Sequence, residues 1–182
     1  MVRASGLQGY QSLVRGLGAD PLKLLQRQRI APESLNDDEA LIPVRSVVNL
    51  LEASAAATQC PDFGLRLAQK QDISLLGPLA IAMQNSRTVA DALHVASLHL
   101  FVHSPALVFT VIPKSSLVPG GVELRIEILL SRQPVQRQVM DQCLGDTHNM
   151  LRFLAGDRYV LKAVALPHAP AASLKTYTSF FN

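Results

Sequence analysis

The chain has 182 residues, 48% of them hydrophobic, 17% charged and 5% aromatic, with no tryptophan and a formal charge of +3. That length and aliphatic balance suit a single domain with one well-buried core and exclude a disordered chain. The basic residues, among them Arg66, Lys70, Arg87, Arg125, Arg137 and Arg152, are scattered rather than gathered into a run, so the positive balance does not describe a phosphate-tracking surface.

In chain order, a first helix spans about Tyr10 to Gly16 and ends at Gly16 and Gly18. Asp20-Pro21 opens another helix, and IAPESLNDDEALIP reads as a connection with a polar turn. Lys23, Gln26, Arg27, Gln28 and Arg29 could suggest a DNA-reading helix. The acidic Glu33, Asp37, Asp38 and Glu39 that follow would repel phosphate, and a helical hairpin on the outside is the better reading. From Val44 to Ala57 the apolar positions Val44, Val47, Val48, Leu51 and Ala55 keep the helix period, which predicts a core-packing helix.

The stretch from Pro61 to Ser104 strings three helical patterns together. Phe63, Leu65 and Leu67 sit in a short helix, Gly77-Pro78 opens a second, and Thr88 caps a third with Asp91 three residues on. In that third helix Val89, Leu93, Ala96 and Leu100 share one face while Val95, Leu98 and Val102 make the others apolar, which predicts a helix buried nearly all round.

The pattern then changes to period two. Leu107, Phe109 and Val111, and later Val122, Leu124, Ile126, Ile128 and Leu130, alternate with polar residues and predict an antiparallel pair joined by a loop at Pro119-Gly120-Gly121. The longest helix runs from about Pro134 to Ala155 and stops at Gly156; Gly145 in its middle requires a close neighbour or a bend. YVLKAVAL, from Tyr159 to Leu166, predicts a third strand, and a last helix follows from about Ala171 to Phe180. The expected fold is α+β: a helical N-terminal part plus a small antiparallel sheet, with strands near 106–113, 122–130 and 158–166, packed against a long helix near 134–155.

PDFGLRLA, then LGPL, then SRTVADAL resemble, in order, the N-terminal effector domain of AraC-type bacterial transcription regulators, in the branch labelled arabinose-binding-type. LGADPLKLLQRQRIAPESL and IPVRSVVNLLEASA before these stretches, with PVQRQVMDQCL and VALPHAPAASLKTYTSFF after them, extend the resemblance over nearly the whole chain. It implies that residues 1–182 are one effector-binding regulatory domain, in a natural chain that continues past Asn182 into a linker and a C-terminal helix-turn-helix module. It also implies a small-molecule effector, DNA binding only through that other module, and a homodimer as the family's common state.

Reactive chemistry finds little support. No G-x-S-x-G, phosphate-cradling glycine loop or cysteine signature occurs, so no catalytic residue and no cofactor is expected. Cys60 and Cys143 fit neither metal nor redox spacing, no uncharged apolar run reaches transmembrane length, and MVRASGLQGY lacks a signal-peptide core. These features predict a soluble, cytoplasmic protein without a membrane partner. Gln84, His99, His103, Gln138 and Gln142 are the candidate ligand-binding residues, because each interrupts an otherwise apolar face. Each also has a plainer explanation as a helix end, a wet face or a satisfied core group. His99 and His103, four apart, give the rival reading of a haem or metal sensor, with His148, Cys143 or Asp146 as the only further ligands in prospect.

Overall fold

The computed structural model describes residues 1–131 and 135–182, so the expected helix start at Pro134 lies outside the described residues. An element that period-counting cannot find comes first: β1 (Val2–Arg3) pairs antiparallel with β2 (Leu41–Ile42), Val2 opposite Ile42. Between these strands lie α1 (Tyr10–Gly16) and α2 (Pro21–Arg27). The start of α2 is set by Asp20, whose side chain accepts a hydrogen bond from the Leu22 amide at 2.9 Å, with Pro21 in the first turn.

The next helix, α3 (Val44–Ala57), buries the stripe anticipated from its spacing, Val44, Val47, Val48, Leu51 and Ala55, together with Leu50 and Ser54. Then come α4 (Phe63–Ala68), α5 (Pro78–Gln84) and α6 (Val89–His99). Gly77 enters α5 with φ of +58°, a backbone region that disfavours side chains, and Thr88 accepts the Asp91 amide at 3.0 Å to cap α6. The expectation that this last helix is buried all round is corrected. Ala92, Leu93 and Ala96 are buried, but Leu98 is 53% exposed and Phe101, in the following 3-10 turn, is 59% exposed.

β3 (Leu107–Ile112) and β4 (Glu123–Ile128) form the expected antiparallel pair. Their register sets Leu107 opposite Ile128, Phe109 opposite Ile126 and Val111 opposite Leu124, so one face is apolar throughout. Thr110 opposite Arg125 and Val108 opposite Glu127 belong to the other face.

The long helix α7 (Arg137–Ala155) shares hydrophobic clusters with the apolar sheet face through Val139, Met140 and Met150. Its closest crossing is with α4. A Cβ on Gly145 would lie 2.7 Å from the Ala68 Cβ and 3.0 Å from Phe180 Cζ, while a Cβ on Gly64 would collide with the Gln138 carbonyl oxygen. Gly145 is therefore in mid-helix because another helix passes there, which accounts for a residue that costs helix propensity.

The third strand expected near 158–166 is not formed. Residues 159–166 pair with no strand, and they and the β4 residues Glu123 to Glu127 line a common space of about 660 Å³. Tyr159 is instead held to α7 by its hydroxyl, 3.1 Å from His148 Nδ1. The last helix, α8 (Leu174–Phe181), is capped by Ser173, whose side chain accepts the Thr176 amide at 3.2 Å. It docks on α7 where the Tyr177 hydroxyl donates to the fully buried Asp141 at 2.7 Å. His168 places Nε2 3.2 Å from the other Asp141 oxygen.

Candidate functional site

Between the sheet face, the N-terminal strand, α3, α6 and α7 lies a cavity of about 120 Å³. Its walls are mostly hydrocarbon. Val44, Val47 and Val48 come from α3, Ala96 from α6, and Leu107, Phe109, Ile126 and Ile128 from the inward face of the strand pair. One stripe of α7 closes the far side: Val139, Gln142, Cys143, Asp146, Thr147 and Met150, the spacing by which a helix presents a single face. The size is near that of a dry engineered cavity of roughly 150 Å³ that admits benzene, so one ring or a short acyl chain is the natural occupant.

The N-terminal segment is fastened over this space at both ends. The Arg3 amide donates to the His103 carbonyl at 3.0 Å, and Arg3 Nε donates to the Val102 carbonyl at 2.9 Å. The Arg3 guanidinium also pairs with Glu39. Deeper in, Gln142 Nε2 donates to the Gly6 carbonyl at 2.8 Å and to Gln71 Oε1 at 2.9 Å, and Gln71 Nε2 donates to the carbonyls of Gly6 and Gln8, each at 3.1 Å. Buried amides bound at this many points hold α7, the N-terminal turn and the chain after α4 at fixed spacing.

The polar groups of the wall behave differently. His103 is 4% exposed, and its Nδ1 has no hydrogen-bond partner among the described residues. Burial, with the Arg3 charge adding to it, holds the imidazole down to about 4, so the ring is neutral near pH 7. Asp146 Oδ1 is likewise occluded and unpartnered among the described residues, and desolvation pushes its carboxyl well above the usual carboxylate range. Cys143 beside it is a free thiol that burial pushes up to about 12, an unreactive state at neutral pH.

Of the residues singled out by sequence, the fold brings two to this cavity, His103 and Gln142. Gln84 is exposed at the end of α5, and His99 is exposed with its ring 6.3 Å from that of Phe101. Gln138 is buried but occupied elsewhere, accepting from the Gly64 amide at 2.8 Å and donating to the Pro61 carbonyl at 2.9 Å. That makes it a clamp of the α4–α7 crossing. The pairing of His99 with His103 fails because the chain tightens into a 3-10 turn at Leu100–Val102, leaving His99 exposed and His103 buried. Among the described residues no group of three His, Cys, Asp or Glu side chains is arranged to hold a metal ion, and no helix is long and apolar enough to cross a membrane.

Asp146 was not among the expected ligand-binding residues. Its signal was present in the sequence, since it lies four residues after Gln142 and four before Met150, on the inward stripe. A carboxylate on an apolar stripe invites the question of what it pairs with.

Residues 18–182 match the family model described as the arabinose-binding domain of AraC transcription regulators, N-terminal. The HTH-type transcriptional regulator VirS, in two strains of Mycobacterium tuberculosis, is 36% identical over 177 residues, which cover 97% of this chain and 52% of the relative. The chain thus spans about half the length of the curated relatives it matches. On the extent of both matches, this chain belongs to the family of N-terminal arabinose-binding domains of AraC transcription regulators.

Proposed function

We propose that residues 1–182 form one regulatory domain that takes a small, largely apolar effector into the cavity between the sheet and α7. The observation that carries this reading is the cavity itself, an apolar chamber with His103, Gln142 and Asp146 in its wall, within a domain of a regulator family. Such a domain acts by population shift. A ligand that fits one arrangement of the walls better than another biases the two, and a DNA-binding module elsewhere in the full protein reads the bias. The domain itself is no enzyme in this account, works in the cytoplasm, and does not retard operator DNA when alone.

Dimerisation fits the exposed large apolar side chains at the end of α6 and in the turn after it, Leu98, Phe101 and Val102. The haem or metal reading has no comparable support, since His99 and His103 do not converge.

The test is a melting-temperature screen of small amphipathic molecules. A true effector at about a hundred times its Kd adds about 2.7 kcal/mol, a rise of about 5–10 °C for a domain of this size. Each such molecule should also alter operator affinity of the full-length regulator. Ala96→Leu, which fills the chamber, should abolish both effects. Molecules whose effect survives Ala96→Leu would place the effector site elsewhere.

A further inference from the structure

Resting on the cavity reading above, we infer that the effector is a small hydrophobic amine whose ammonium group pairs with Asp146. The first support is the charge inventory of the wall. Its titratable members are Arg3, Asp72, His103, Cys143 and Asp146. Arg3 is engaged by Glu39 and by the Val102 carbonyl, His103 is neutral, and Cys143 keeps its proton. Asp72, exposed and hydrogen-bonded to the Ser74 amide at 2.8 Å, leaves a negative charge at the rim. Among the described residues an anionic ligand would meet no uncommitted cation in this wall, whereas a cationic one meets an acidic rim and then a carboxyl oxygen without a partner.

The second support is the state of that carboxyl. Asp146 Oδ1 lies occluded in the wall with no hydrogen-bond partner among the described residues, and the loss of water raises its carboxyl because nothing around it repays that loss. An ammonium brought to it supplies both charge and hydrogen bonds, so the carboxyl proton leaves to solvent as the ion pair forms. Binding is then accompanied by net proton release from Asp146, and affinity rises with pH until the amine itself deprotonates. A neutral alcohol of the same shape would take a hydrogen bond from the carboxylic acid and release nothing.

The decisive experiment is calorimetric titration of the chain with benzylamine, benzyl alcohol and benzoate, one ring carrying three head-group charges. Each is run on the wild type and on Asp146→Asn, in two buffers of different ionisation enthalpy. The expected order is amine at least about tenfold tighter than alcohol, with benzoate weakest. Asp146→Asn should weaken the amine by about tenfold or more and leave the alcohol within about threefold. Only amine binding to the wild type should show buffer-dependent heat of the sign that reports net proton release. Alcohol or benzoate binding as tightly as the amine, or an amine indifferent to Asp146→Asn, overturns the amine assignment while leaving the cavity reading intact. Binding of none of the probes to the wild type removes the cavity reading and this inference together. Probe order and proton release are read on the wild type, so they decide the matter even if the variant folds poorly.

Discussion

His103 carries the clearest pH consequence in the molecule. Its folded value is about 4, depressed first by burial and then by Arg3, against about 6.5 for a free imidazole. The unfolded chain therefore takes up a proton that the folded chain refuses. The neutral ring's contribution to stability is complete above about pH 6.5 and drains away as pH falls toward 4, by at most about 3 kcal/mol. Denaturant midpoints measured between pH 7 and 4.5 should fall less steeply for His103→Gln than for the wild type; equal slopes would show that His103 is not the group responsible. Asp146 has the opposite sign. A raised carboxyl favours the fold below the ordinary carboxylate range and costs stability above it, so Asp146→Asn should melt higher than the wild type at pH 7 in the absence of ligand. At this scale the sequence was partly legible. His103 and Gln142 announce themselves as polar residues on apolar faces, but the same logic selected Gln84 and His99, which are exposed. It also selected Gln138, whose amide is satisfied by the backbone of Pro61 and Gly64. Which partner a buried polar group finds is a tertiary fact, and spacing along one helix does not contain it.

Elements were more readable than their contacts. The Asp20 and Thr88 caps, the α3 stripe and the alternation of β3 and β4 are local, and the structure follows them. Alternation in YVLKAVAL signals only that a segment can lie on a surface. It becomes a strand only when it pairs with an edge, and here the sheet stops at the β3–β4 pair. The β1–β2 pairing is too short to carry any period at all. The glycine in α7 was legible as a demand for close approach, and the crossing with α4 meets it. Gly145→Ala should gain about 1 kcal/mol of helix propensity and lose about 1–3 kcal/mol by forcing Ala68 and Phe180 apart, a net destabilisation measurable by urea titration. A more stable variant would mean that the two helices can separate without cost. The docking of α8 combines the packing of Phe180 and Phe181 on Gly145 and His148 with one buried hydrogen bond, from Tyr177 to Asp141. Tyr177→Phe leaves Asp141 short of a donor, costing about 1–3 kcal/mol, and proteolysis should then nick the chain near α8 before it cuts the core.

For the whole molecule, the organising feature is a sheet and a long helix that share hydrophobic clusters at their margins and stand apart between them. Two clusters form, one around α1 to α4 and one around α5, α6 and the sheet, and the cavity has wall residues from both. The size of the space is not written in any period, because most residues lining it are ordinary apolar core residues; fold class was legible, and of the chamber the legible part was the polar residues His103, Gln142 and Asp146 on apolar faces. The most direct measurement is a crystal structure of the chain pressurised with xenon or soaked with iodobenzene, heavy apolar probes that sites of this kind admit. The account predicts density for the probe bounded by Ala96, Phe109 and Met150. Side chains closed across that space, with the probe bound only elsewhere, would contradict it.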